Sequence, residues 1–201
     1  RTFGRERHLT RDDILVAAAL VFSQKGFHAA SMQDIAQAVS LQKASLYYHF
    51  PSKQDILQAL LDQALETITE RLEVVLEKSL PPAERLRQAM ICYLQALAEN
   101  QEISRVLLLE YRSLDGEQRQ KHMPKRDRFE HLWRDLVQEG RAAGIFHCEN
   151  PSMAGRALIG VMNWTITWYR PDGPLSVEAI GDQFVDLLLN GLLVRDEVDA
   201  A

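Results

Sequence analysis

The chain has 201 residues, 46% of them hydrophobic, 25% charged and 7% aromatic, which excludes the disordered and fibrous classes and predicts one or two globular domains. Two cysteines, Cys92 and Cys148, are too few for a disulfide framework, no stretch nears the ~18–20 apolar residues of a membrane span, and no basic-then-apolar leader opens the chain, so a reducing, cytoplasmic setting away from membranes is expected. The formal charge of −5 is unevenly spread: residues 1–53 hold seven Lys/Arg against four acids, net +3, and residues 54–201 hold 16 against 24, net −8. Any polyanion is therefore expected to dock on the first quarter.

Apolar residues recur at helical spacing throughout and no segment alternates with period two, so the predicted class is all-α. Thr10, followed by Asp12 and Asp13, caps a helix over 11–25 that buries Ile14, Ala17, Ala18, Val21 and Phe22 and ends at Gly26. Ser31 caps a short helix over 32–38, and after a turn near 39–41 a third runs over about 42–48 until Pro51 stops it. Ser52 opens a long fourth helix reaching about residue 78, with a seam from Ile56 to Val75, and Pro81-Pro82 breaks the chain. Further helices are predicted over 83–99, 102–112, 122–143, 151–169 and 176–194. Pro124, in the basic segment from Arg119 to Arg128, is expected to kink the helix over 122–143 or delay its start.

Three short helices with a turn between the second and third are the layout of a helix-turn-helix, whose second member enters the DNA major groove. The stretch runs Asp34-Ile35-Ala36, a turn, then Leu46-Tyr47-Tyr48-His49-Phe50 and, three residues on, Lys53. It resembles the N-terminal motif of the tetracycline-repressor (TetR) family of bacterial regulators over its whole length. Two positions depart from that pattern: Ser40 stands where a turn glycine is usual, and Gln42 where a capping serine is usual. The resemblance implies a DNA-binding domain over 1–53, a helical ligand-binding and dimerisation domain over 54–201, and a palindromic double-stranded operator. Residue chemistry agrees with it. Gln42 and Lys43 suit guanine or adenine edges, Ser45 is short enough to allow close approach, and Tyr48 offers a ring to a thymine methyl. Ser31, Gln33, Tyr47, His49 and Lys53 suit phosphates, and Arg1, Arg5 and Arg7 suit either a minor-groove arm or a solvated terminus.

The last two helices are apolar on more than one side, as helices with both a core and a subunit to cover are. A homodimer seam is expected to include Gly160, Trp168, Phe184, Leu187, Leu188 and Gly191. Met90, Tyr93, Leu94, Tyr111, Phe129, Trp133, Met162 and Trp164 are bulky or adaptable enough to line a pocket for a small hydrophobic effector, and they would fill a plain core equally well. The segment from Trp164 through Trp168-Tyr169-Arg170-Pro171 to Leu175 resembles the corresponding one in TetR members that respond to acyl-CoA thioesters. Arg105, Arg112, Arg119, Lys121, Lys125, Arg126 and Arg128 would suit CoA phosphates or, equally, a salt-bridged surface.

No Gly-rich phosphate loop, zinc-pair motif or nucleophile elbow is present, and His122, His131, His147 and Cys148 have no recognised ligand spacing, so neither catalysis nor a metal or other cofactor is expected. Two other readings stand beside an acyl-CoA-released repressor: the same regulator sensing a drug-like or aromatic ligand, and an architectural DNA-binding dimer with no ligand.

Overall fold

Each of the first two helices opens on a reciprocal cap. The Thr10 hydroxyl accepts from the Asp13 N–H at 3.2 Å while the Asp13 carboxylate accepts from the Thr10 N–H at 2.8 Å, and Ser31 and Asp34 repeat both distances. These pairs satisfy donors that the first turn of a helix leaves without partners. In the computed structural model, which describes residues 10–190, they start α1 (Arg11–Lys25) and α2 (Met32–Ala38), and α1 ends where Gly26 takes a φ of +76°. Then follow α3 (Lys43–His49), α4 (Lys53–Leu76), α5 (Pro82–Glu99), α6 (Gln101–Leu109), α7 (Gly116–Ala142), α8 (Pro151–Asn163) and α9 (Val177–Asn190), with single 3₁₀ turns at Tyr111–Ser113 and Trp164–Thr167. No strand occurs among the described residues, and no helix there is long and apolar enough to cross a membrane.

Three segments differ from the sequence expectation, the first being the helix predicted over 102–112, which ends at Leu109 and is followed by the 3₁₀ turn Tyr111–Ser113. α7 starts at Gly116, six residues before the predicted 122, and carries Pro124 inside it without a break. Pro124 and Gln120 are both exposed, so the Gln120 carbonyl that loses its helical donor can turn to water, while the Asp115 carboxylate caps the new start by accepting from the Gln118 N–H at 3.1 Å. The helix predicted over 151–169 gives way to a 3₁₀ turn from Trp164. The basic arm residues Arg1, Arg5 and Arg7, as well as Gly191 and the predicted end of the last helix, lie outside the described residues.

By packing, the residues group into two compact units: those through Thr67 with Asn100–Arg128, and Ile68–Glu99 with those from Phe129 onward. The first is built around fully buried Ile14, Ala18 and Phe22 of α1, Ile35 and Ala36 of α2, Leu46, Phe50, and Ile56 and Leu57 of α4, with α6 laid against α1 and burying Val106. The second buries Leu86, Met90, Tyr93, Leu94 and Leu97 of α5 against Trp133, Leu136 and Val137 of α7, Leu158 and Met162 of α8, and Ile180 and Val185 of α9. α9 approaches α5 so closely that a Cβ at Gly181 would lie 2.6 Å from Ile91 Cγ1, a clash that glycine alone avoids.

Ser40, in the turn that aims α3, is the non-glycine residue with positive φ among those described, at +55°. Its N–H donates to the Gln37 carbonyl at 3.1 Å, the Leu41 N–H reaches Ala36 at 2.8 Å, and its side chain is exposed. A left-handed conformation costs a non-glycine residue about 1–2 kcal/mol, part of which the greater unfolded-state freedom of glycine cancels. Ser40→Gly is accordingly expected to raise stability by up to about 1 kcal/mol. Urea unfolding measures it, and an unchanged or lower midpoint would show that the turn is unstrained.

Candidate nucleic-acid interface

α3 is held by two apolar anchors and presents the rest of its surface to solvent. Leu46 and Phe50 are fully buried, and the Arg11 guanidinium covers the Phe50 ring at 4.2 Å. Gln42, Lys43, Ala44, Ser45, Tyr47 and Tyr48 are exposed, with Tyr48 at 87% the most exposed large apolar side chain of the motif. Adjacent positions on a helix point 100° apart, so two neighbouring tyrosines outside the core give α3 a broad ring-bearing surface rather than a single ridge. The Lys43 ammonium lies 5.8 Å from the centre of the Tyr47 ring, which pre-orients it along the same face. His49 is half-buried and meets Tyr48 edge-on at 5.6 Å. Gln42 makes no side-chain cap, so its amide is free for another partner.

The residues expected at phosphates divide. Gln33 is exposed at the start of α2. The Ser31 hydroxyl is engaged in its cap, donating to Asp34 at 2.7 Å. Asp34 also takes a 2.7 Å ion pair from Lys25, and with Ser31 this holds its carboxyl at a pKa of about 2. Lys53 turns inward: its ammonium donates to the carbonyls of Phe27 and Ala30 at 2.6 Å each and of His28 at 3.3 Å, and it sits 4.4 Å from the Phe27 ring centre. All three of its protons are engaged by the α1–α2 turn. Burial pushes its pKa down, opposed by Glu110.

Beside Lys53 lies a polar clamp that sequence reasoning missed. The Glu110 carboxylate accepts from the Phe27 N–H at 3.2 Å and the Ser113 hydroxyl at 2.8 Å, and the Gln54 amide both donates to the Ser113 carbonyl at 2.9 Å and accepts from the Asp115 N–H at 3.1 Å. The Gln54–Ser113 and Phe27–Glu110 partners are 59 and 83 residues apart in the chain, so no local pattern marks them.

In the second unit, Tyr93, Phe129 and Trp133 form a ring cluster with centroids 5.2, 5.9 and 6.3 Å apart, and Met90, Leu94 and Met162 are buried with them. The Tyr93 hydroxyl donates to Asn163 Oδ1 at 2.6 Å. The Trp133 side chain is wholly buried, yet its indole N–H has no acceptor. The two other residues expected there lie in different surroundings. Tyr111 belongs to the first unit, in a 3₁₀ turn with the Arg126 guanidinium stacked 4.1 Å over its ring; Arg126, then Arg112, hold its hydroxyl below the usual phenol pKa. Trp164, 67% exposed, ends α8 on a stripe with Met153, Ala157 and Gly160 that is turned away from the core. Among the expected phosphate-binding cations, Lys121 pairs with Glu117 at 2.6 Å, Lys125 with Glu66 at 3.0 Å, and Arg119 donates to the carbonyls of Arg112 and Leu114.

Of the residues expected at a subunit seam, Gly160, Trp168, Leu187 and Leu188 are exposed and Phe184 is half-buried. No cluster of three or more metal-ligating side chains occurs among the described residues.

The sequence pattern of bacterial regulatory proteins of the tetR family matches residues 14–60, and that of the tetracyclin repressor-like C-terminal domain matches residues 79–192. The HTH-type transcriptional repressor KstR2 of Mycolicibacterium smegmatis is 28% identical over 190 residues, 90% of each chain. Among solved structures, the TetR family transcriptional regulator PfmR from Thermus thermophilus has a TM-score of 0.82 and 39% identity, covering 90% of this chain and 99% of that one. AibR in complex with isovaleryl coenzyme A and operator DNA has a TM-score of 0.82 and 26% identity over 89% of this chain and 97% of that one.

Proposed function

Because the chain belongs to the TetR family of bacterial regulatory proteins, and is therefore a DNA-binding regulator rather than an enzyme, we propose that it is a homodimeric repressor released from a palindromic operator by an acyl-CoA thioester. The α3 helix of each protomer enters one major groove, with Gln42, Lys43, Ser45 and Tyr48 on base edges and Gln33, Tyr47 and His49 on phosphates. Two-fold symmetry then requires the two α3 helices to stand about 34–36 Å apart, one turn of DNA.

The observation that carries the effector reading is the Trp133 indole N–H, buried and without an acceptor beside the Tyr93–Phe129 rings. An unpaired buried donor costs roughly 1–3 kcal/mol, and a ligand carbonyl placed there would recover it. A ligand-free core would need a buried water at that position instead. The AibR complex with isovaleryl coenzyme A supports the thioester as the class to try first. Release follows only if the thioester binds the operator-free state more tightly than the operator-bound one.

Fluorescence anisotropy tests the reading, with the DNA upstream of the protein's own gene against random DNA at about 150 mM salt, where non-specific binding is weak. Selective binding by two subunits, reversed by isovaleryl-CoA or butyryl-CoA, is the expected result. Lys43→Ala is expected to cost about 1–3 kcal/mol on the operator and to narrow its preference over random DNA. Equal affinity of wild type and variant for both DNAs would remove α3 as the reading element.

A further inference from the structure

Among the described residues up to Lys53, the lysines and arginines are Arg11, Lys25, Lys43 and Lys53, all within the first unit. Two are committed to the protein itself: Lys25 to Asp34 at 2.7 Å, and Lys53 to the carbonyls of Phe27, His28 and Ala30. The other two are laid on rings, Lys43 5.8 Å from the centre of Tyr47 and Arg11 4.2 Å from that of Phe50. They stand at opposite ends of α3, because Lys43 is its first residue and Phe50 its C-cap. With Lys53 turned inward, Arg11 is the one of the four at the far end of α3 that still has its charge to offer.

Arg11 is exposed, and among the described residues it pairs with no carboxylate, although Asp12 and Asp13 follow it in the chain. Both acids are engaged elsewhere: Asp13 in the Thr10 cap, and Asp12 with the Gln63 amide at 3.4 Å. A guanidinium stacked over a ring keeps its N–H groups in its own plane, directed outward in the fork that fits two oxygens of a phosphate. Covering Phe50 does not by itself call for a charge. An uncharged chain of similar length would shield the ring as well, and a cation in the first turn of α1 opposes the helix dipole. α3 has seven residues and is about 10 Å long, close to the ~12 Å width of the major groove. A charge just past its last turn therefore meets the phosphate wall of the groove while its first turn reads bases.

We propose that Arg11 is a phosphate clamp for operator DNA, held in place by Phe50, and that it supplies at the end of α3 the backbone contact for which the sequence motif suggests Lys53. The inference rests on the DNA reading above and adds to it a positioning residue that carries no sequence preference.

Anisotropy titrations of the full-length protein between about 50 and 200 mM salt test it, on the operator and on random duplex. Arg11→Met keeps an unbranched apolar chain over Phe50 and removes the charge. It is expected to flatten the plot of log affinity against log salt by about 0.9 per bound protomer on both DNAs. Both affinities fall about tenfold at 150 mM salt, while the operator-over-random ratio and the urea midpoint stay unchanged. Arg11→Lys is expected to keep the slope. Should Arg11→Met fail to fold, Arg11→Gln is measured in its place, since a planar amide stacks on Phe50 without a charge. A purely structural lid would lower the urea midpoint and leave the slope as it is, because the slope counts the phosphates neutralised. A slope unchanged in the uncharged variant, or a loss confined to the operator, overturns the proposal. If the wild type binds both DNAs alike, the operator reading is what fails, and the slopes on random duplex then decide Arg11 by themselves.

Discussion

Leu188→Glu is expected to convert the protein to a monomer and to lower its operator affinity by more than about 100-fold, the range by which joining two binding modules exceeds one. Apolar side chains of α8 and α9 stand uncovered on the protomer. On α8, Met153, Ala157, Gly160 and Trp164 are exposed along one stripe, and on α9 Leu187 and Leu188 are 40% and 37% exposed. A folded chain rarely leaves such a row of large apolar groups in water without a partner, and a two-fold seam buries the same row from both protomers. A carboxylate introduced at Leu188 costs the isolated protomer little, because the position is already in contact with solvent, but at the seam it would be buried opposite its own symmetry mate. Sedimentation at micromolar concentration reads the mass and anisotropy reads the operator. A dimer that persists with unchanged operator affinity would place the subunit contact elsewhere.

Lys53→Met is expected to lower stability by about 3 kcal/mol, since three main-chain carbonyls lose a charged donor at once and the ones nearest the core are left without a replacement. The carbonyls are those of Phe27, His28 and Ala30, in the turn that sets α2 against α1. Lys53→Arg is expected to rescue little of the loss, because a planar guanidinium cannot direct its protons at three converging carbonyls as a tetrahedral ammonium does. The measurement separates this role from the one the motif alone suggests. A phosphate contact would show itself as an operator salt slope reduced by about one with stability unchanged, and that pair of results would return Lys53 to the DNA.

The reading head was largely legible because its signals are local. Thr10 with Asp13 and Ser31 with Asp34 are capping pairs three residues apart, and they start α1 and α2 at the residues expected. Ser40 was recognisable as a residue out of place at a left-handed turn, and it does adopt that conformation. Helical geometry required at least one of Tyr47 and Tyr48 to be exposed, since adjacent side chains cannot share one buried face, and both are. Pro124 misled for the same reason that these succeeded. A proline is read locally as a helix breaker, and only the exposure of Gln120 and Pro124 reveals that α7 can run through it.

By itself, the amino-acid sequence determined the all-helical class, the helix-turn-helix with its anchors Leu46 and Phe50, and the presence of a DNA-facing surface on a chain of net negative charge. Spacing, caps and charge distribution act within a few residues, and a linear text records them. Tertiary structure alone decided that α6 packs with the reading head, that Lys53 and Glu110 organise the turn before α2, that Tyr93, Phe129 and Trp133 form one ring cluster while Trp164 is exposed, and that Asp62 pairs with His122. Those pairings join residues tens of positions apart. What selects them is the burial of shared apolar surface and the need of each buried polar group for a partner, both of which exist only after the chain has folded.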